Sequence, residues 1–290
     1  MESGDLKVFQ AVAEEGSITR AAARLNYVQS NVTARVQQLE TELRTVLFHR
    51  HNRGMTLTSS GKSLLDYANR ILGLLEEASK AVTSATEPRG PLTIGSSQTC
   101  AAVRLPKLLA KYHRQYPDVA ITLTTDYMTP MADKILRYEV DGAFISGPID
   151  HEELTAIPAF EEENVLVSEP GLADLADAPN KPILVFAGSC YYRSVLERWL
   201  KANAWKKPQI MEFGTLEAII GGVAAGLGIT LLPRAVVAKR AEEGALRIHE
   251  FPEAERRLVT RFVMRKDAFV SRPLQLFVDE LASMREPAPV

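Results

Sequence analysis

Cysteine is scarce: Cys100 and Cys190 are the only two in 290 residues. They are too few and too far apart for a disulfide framework or a finger-type zinc site, and are expected as reduced, partly buried thiols. No run of about 18 apolar residues occurs, which excludes a transmembrane helix. The opening MESGDLKVFQ carries acids and has no apolar signal core, so the expectation is a cytoplasmic protein that does not engage membranes. Excess charge is lacking as well. A formal net charge of −2 suggests no nucleic-acid partner until its distribution is considered.

What is present is an ordinary globular composition, 46% hydrophobic and 24% charged, in a chain long enough for two or three domains, each able to bury a core. The charge is uneven. Between Arg20 and Arg70 eight bases face only three acids, and the acidic excess lies elsewhere, notably in HEELTAIPAFEEEN. This basic stretch is the electrostatic footprint that phosphates attract.

The first stretch puts Leu6, Phe9, Val12 and Ala13 on one helical face and ends at Gly16, with Ser17 placed to cap the next helix. ITRAAARLN follows as a short helix closed by Asn26, a residue that tolerates the left-handed conformation of a tight turn. In QSNVTARVQQLE, Val32, Val36 and Leu39 face inward. Beyond Leu43, β-forming residues around Asn52–Gly54 predict a two-stranded wing.

From Lys62 to about Thr86 the spacing of Leu64, Ala68, Ile71, Leu75, Ala78 and Val82 predicts a heptad seam, and hence a partner helix from a second copy. TEPRGP breaks that helix and reads as a hinge. The expected domains are therefore residues 1–61, a linker helix 62–86, a hinge 87–91 and a regulatory region 92–290. The last alternates strand and helix patterns, predicting two similar α/β lobes with mostly parallel sheets.

With Val32 at the centre of the inner face, Ser30, Ala34 and Gln37 point outward, flanked by Asn31 and Thr33, with Gln29 at the helix start. These are amides, hydroxyls and one short apolar side chain, the groups that match base edges in a major groove. Arg20, Arg35, Arg50, His51 and Arg53 are candidates for the phosphate backbone and the adjacent minor groove. A polar helix face alone is usually just solvated. Here a tight turn, local positive charge, a wing and a dimer helix occur together, which favours DNA.

The stretch FQAVAEEGSITRAAARLNYVQSNVTARVQQLETELRTVLFHRHNRGMTLTSSGK resembles the amino-terminal winged helix-turn-helix of LysR-type transcriptional regulators. YPDVAITL, GAFISGP and VAAGLGITLLP resemble their effector-binding domain, so the resemblance spans nearly the whole chain. It implies an α/β protein overall, with a winged helix-turn-helix, a dimerisation helix and a two-lobed domain like that of periplasmic binding proteins. The implied partners are double-stranded promoter DNA, a second copy as dimer or dimer of dimers, a small-molecule effector and RNA polymerase, with no cofactor. Two positions depart from the family pattern: Val28 stands where a capping serine or threonine is common, and Ala34 where an arginine is common.

Ligands of open parallel sheets sit beyond the carboxyl ends of strands. Ser96, Ser97, Gln98, Thr99 and Cys100 follow the first such strand, and Gly188, Ser189, Cys190, Tyr191 and Tyr192 follow one in the second lobe. Thr129 and Ser146 come from neighbouring strand ends. Together they are candidates for a small carboxylate or another compact polar effector. Rival readings are a hydrolase using Ser189 or Cys190, a thiol switch formed by Cys100 and Cys190, and a metal sensor at His49 and His51. AGSCY is not a nucleophile elbow and its general base would have to come from His113, His151 or His249; the two wing histidines lack a third ligand.

Overall fold

The computed structural model describes residues 1–51, 54–83, 87–175, 181–188, 191–202, 209–252 and 256–284. The chain divides into two compact units. The first comprises Met1–Thr83 with Leu136–Glu139, and the second the remainder.

In the first unit α1 (Ser3–Glu15), α2 (Ile18–Leu25) and α3 (Gln29–Glu42) close around a core of Phe9, Val12, Ala21, Ala22, Val32, Val36 and Leu39. The turns are the ones the sequence specifies. Gly16 ends α1 at φ 59°, the Ser17 side chain accepts from Arg20 N, and Asn26 ends α2 at φ 55°. The wing is β1 (Phe48–His51) paired antiparallel with β2 (Gly54–Leu57). Its start is tied to α3 because Glu40 Oε1 accepts the amide protons of Leu47 and Phe48, at 2.8 and 3.3 Å.

A second tie lies at the far end of the wing, where Met55 N donates to Gly16 O at 2.9 Å. Gly54 has φ +127° and a Cβ there would overlap the Gly16 carbonyl oxygen. Both the backbone conformation and the close approach require glycine. Gly54→Ala is expected to destabilise the domain by about 1–3 kcal/mol, read as a lower midpoint in urea unfolding; an unchanged midpoint contradicts this.

The helix α4 (Ser59–Thr83) begins three residues before the expected Lys62, because the Thr58 hydroxyl accepts from Gly61 N at 3.0 Å and so caps the first turn. The expected seam divides. Ala68 is 0% exposed and Leu64 packs against the same core, so these two positions serve their own domain. Ile71, Leu75 and Val82 are exposed, Val82 by 83%, and Tyr67 and Leu74 join them on the outer side; Ala78 is exposed too. A helix that buries one stripe in its own core offers a different stripe to any partner, and here four of the six expected positions, Ile71, Leu75, Ala78 and Val82, stay on the open side. Leu136–Glu139 lies along α4 as well, with Arg137 paired to Asp66 at 2.7 Å.

The second unit is α/β, but its sheet is mixed rather than mostly parallel. The order is β10 (Arg247–Glu250), β6 (Leu154–Ser168), β11 (Arg257–Arg265), β5 (Gly142–Ser146), β3 (Gly90–Ser96), β4 (Val119–Thr125), with β9 (Thr230–Pro233) also paired to β6. β3 (Gly90–Ser96) pairs parallel with β4 (Val119–Thr125) and β5 (Gly142–Ser146), whereas β11 (Arg257–Arg265) runs antiparallel to both β5 and β6 (Leu154–Ser168). The expected hinge overlaps this sheet, since Gly90 and Pro91 already belong to β3; residues 84–86 fall outside the described residues.

The 15-residue β6 generates the two lobes. Its first two-thirds pair with β11, and its last residues pair with β9 (Thr230–Pro233) and β10 (Arg247–Glu250). One continuous strand therefore runs from one lobe into the other. In the second lobe β7 (Ile183–Phe186) pairs parallel with β8 (Ile210–Phe213) and is bridged to Ile229, just before β9. The helices α5 (Gln98–Val103), α6 (Leu105–Gln115), α7 (Met128–Leu136), α8 (Tyr191–Ala202), α9 (Leu216–Ala224), α10 (Arg234–Glu242) and α11 (Arg272–Ser283) cover the sheets. Three buried clusters fill the unit, one centred on Phe144, Phe262 and Phe277 and two around β6, β7 and β9.

Candidate DNA interface and effector cleft

The outer face of α3 is built from residues with nothing to bury. Gln29, Ser30, Asn31, Ala34 and Gln37 are all exposed, while Val32, Val36 and Leu39 fill the core. Thr33 is half-buried and its hydroxyl donates to Gln29 O at 2.9 Å, so it is turned toward its own helix. Asn31 accepts Arg35 Nε at 3.1 Å, which leaves its amide less adaptable than that of Gln29.

The arginines differ in role. Arg35 is half-buried and donates to Asp5 Oδ1 at 2.8 Å, so it ties α3 to α1 rather than standing ready for phosphate. Arg20 is exposed and bonded to Glu15; Arg50 lies on the wing, 3.9 Å from Glu40. Both have guanidinium surface available to an incoming phosphate, as exposed ion pairs are weak. His51 is exposed at the end of β1, and Arg53 falls outside the described residues.

Val28 occupies the N-cap of α3 without a side-chain bond, and it is 68% exposed. Its neighbour Tyr27 is also exposed. The outward face of α3 was legible from helical periodicity, but Tyr27 sits before the helix, where periodicity is silent. Its signal is an aromatic side chain directly after a left-handed turn residue, with no core to enter. Val28→Ser is expected to raise stability by about 1 kcal/mol by capping the first turn, measured as a higher thermal midpoint; a fall would show that the cap geometry is not available.

In the second unit the strand ends converge on a cleft. Ser97, Gln98 and Thr99 come from the β3–α5 junction, Ser146 from the end of β5, and Tyr191 and Tyr192 from the start of α8. The cleft is nearly shut. Its interior measures about 40 Å³, room for a few water molecules. Gln98 holds it so: Nε2 donates to Gly214 O and Oε1 accepts from Leu216 N, both at 3.0 Å, which joins the first lobe to the start of α9 in the second.

The other expected effector residues lie elsewhere. Ser96 is buried and its hydroxyl donates to Ser97 O. Cys100 is 3% exposed inside the first-lobe core, where burial pushes its thiol up to about 12. A thiol so raised is not a reactive thiolate at neutral pH, which removes the support for a Cys100 redox switch. Thr129, in the first turn of α7, and Gly188, at φ +91° beneath the Tyr127 ring, are not part of the cleft wall. Ser189 and Cys190 fall outside the described residues. The wall also takes in Asp126, Tyr127, Met128, Met131, Phe144 and Phe186. Most of these read as core from sequence, since an apolar side chain gives no local sign of whether it meets another side chain or a cavity.

The amino-terminal part of the chain, residues 3–62, matches the family described as bacterial regulatory helix-turn-helix protein, lysR family, and residues 85–285 match the LysR substrate binding domain. The chain belongs to the LysR family of transcriptional regulators. It is 59% identical to the uncharacterized HTH-type transcriptional regulator YusT of Bacillus subtilis, over 98% of this chain and 97% of that one. It is 46% identical to the HTH-type transcriptional regulator YofA of Bacillus velezensis, over 98% and 99%. Its fold is that of crystalline CbnR, a LysR family transcriptional regulator, with TM-score 0.72 at 22% identity over 99% of this chain and 100% of that one. Full-length CbnR in complex with its target DNA gives TM-score 0.69 at 23% identity, over 98% and 99%. As a LysR-type regulator the chain combines a DNA-binding helix-turn-helix with an effector-binding domain, and regulators of this family bind promoter DNA and oligomerise. Among the described residues no helix is long and apolar enough to cross a membrane.

Proposed function

We propose that this LysR-type regulator is a non-catalytic, cytoplasmic protein that acts as a dimer or dimer of dimers. It reads its operator with Gln29, Ser30, Ala34 and Gln37 and reports to RNA polymerase the presence of a small effector held between the lobes. The observation that carries the DNA assignment is the uncharged, exposed polar face of α3 beside an anchored wing. Uncharged amides and hydroxyls have no electrostatic reason to gather on one helix face, but they match the donor and acceptor pattern of base edges. Exposed Arg20, Arg50 and His51 supply the phosphate contacts that set register.

Effector control follows from the cleft. The Gln98 clasp joins the lobes in the near-closed state, and a ligand that prefers one lobe spacing shifts the population of the other. The coupling to DNA is the placement of the paired heads, so the effector alters bending or spacing of the operator rather than the bases read. Genome-wide mapping of bound DNA tests the reading. Recovered sites are expected to share a two-fold symmetric motif with half-sites separated by whole helical turns; bound sites with no common motif would contradict it.

A further inference from the structure

The chemistry of the cleft wall narrows the effector beyond the reading just given, on which this inference rests. Among the described residues no lysine, arginine or histidine lines the cleft, and its single charge is Asp126. That carboxylate is already compensated: Oδ2 pairs with Lys134 Nζ at 2.9 Å and Oδ1 accepts from Tyr127 N at 2.8 Å. The amide of Gln98 is engaged at both ends, and Ser146 Oγ lies 2.9 Å from Thr260 Oγ1. Desolvating a carboxylate in such a place is costly without a counter-ion, and the described residues of the wall provide none. The small carboxylate that the loop sequences suggest is thus a poor match for the assembled cleft.

What the wall does provide is flat apolar surface. Tyr191 lies against Gly147, where a Cβ would come within 2.6 Å of its ring, and Tyr127 lies against Gly188, where a Cβ would come within 3.1 Å. Both glycines have positive φ, +98° and +91°. Two rings from different lobes are each seated on a bare backbone, and Phe144 and Phe186 join Met128, Met131 and Ile145 in the rest of the apolar lining. Rings held in this way present faces and edges to a second ring, while the hydroxyls of Ser97 and Thr99 at one end retain lone pairs for one polar group.

We propose that the effector is a compact, uncharged molecule carrying one flat ring and one hydrogen-bonding group. Its ring packs among Tyr127, Tyr191 and Phe186 and its polar group meets the Ser97–Thr99 end. Because the closed interior is so small, such a ligand enters by parting the Gln98 clasp, which links ring recognition to lobe spacing.

Three probes of one shape and different charge test this: benzyl alcohol, benzylamine and benzoate, titrated into the full-length protein and followed by ligand-observed NMR. Benzyl alcohol is expected to bind, with benzoate weaker by about tenfold or more. Met128→Trp, which fills the cleft from the first turn of α7, is expected to abolish binding. Tyr191→Leu, a milder change, is expected to weaken benzyl alcohol by about three- to tenfold and keeps the test open if the tryptophan variant does not fold. Benzoate binding as tightly as benzyl alcohol and lost in Met128→Trp would overturn the uncharged class while leaving the cleft as the effector site. Binding of none of the probes would overturn the ring class. Benzyl alcohol binding equally to wild type, Met128→Trp and Tyr191→Leu would overturn the cleft itself as the binding place.

Discussion

Replacing Leu74 and Leu75 together by glutamate is expected to convert the protein into monomers and to weaken binding to a paired operator by roughly 10²–10⁴-fold. Both side chains are about half exposed on α4, in line with Tyr67, Ile71 and Val82. Five large apolar side chains at helical spacing on one outer face form a patch that water does not favour, and we propose that a second copy of the same helix buries it. Two carboxylates per helix, brought together by that pairing, repel one another and cannot be desolvated cheaply. The effect is confined to association, because the core of the domain lies on the other side of α4, at Ala68 and Leu64. A monomer docks one head at a time and loses the effective concentration that links two half-sites. Light scattering and fluorescence anisotropy on the same sample check both parts. A variant that stays dimeric with unchanged affinity contradicts the placement of the seam.

Gln29→Ala is expected to cost about 1–3 kcal/mol on the cognate site and nothing on random DNA, measured by anisotropy at one fixed salt concentration. Gln29 is exposed at the first turn of α3, with a donor and an acceptor on one planar amide. Asn31→Ala is expected to have a smaller effect on discrimination, because the Asn31 amide oxygen already accepts from Arg35. Its removal instead frees a guanidinium that is shared with Asp5. Equal losses on cognate and random DNA for Gln29→Ala would move that residue from the reading of bases to the positioning of the backbone.

The contrast between Gln29 and Arg35 shows where sequence stops being informative. Periodicity places both on α3 and gives their angles around it, and the exposed polar face followed directly. Whether an arginine at the edge of that face meets phosphate or a neighbouring helix depends on Asp5, 30 residues away in the chain, which no local pattern reports. The same applies to the heptad seam. Steps of three and four identify a helix with an apolar stripe, but both Ala68 and Ile71 satisfy the spacing, and only the arrangement of α1, α2 and α3 decides that Ala68 is inside and Ile71 outside.

In the regulatory unit the strand–helix punctuation up to β5 is legible in the sequence, while in the long β6 only the last third, NVLVS, carries a strand pattern. Its first two-thirds, LTAIPAFEEE, is rich in acids and contains proline, which argues against a central strand from composition alone. It is nevertheless held because β11 pairs along it, with a register shift at Thr260/Arg261 that places Pro158 in the ladder, and because Glu162 is matched by Arg104 at 2.8 Å. Those partners lie about 60 to 110 residues away. The cleft shows the same division: its hydroxyl-bearing loops carry a local signature, and its apolar wall does not.

The decisive quantity is the ratio of two affinities at one salt concentration: that of the full-length protein for a site recovered by genome-wide mapping, and that for a scrambled duplex of the same length. A ratio of about 10³ or more is expected, falling by the factor that Gln29→Ala costs while the scrambled affinity stays fixed. A ratio near one for the wild-type protein would contradict the assignment of α3 as the helix that reads DNA.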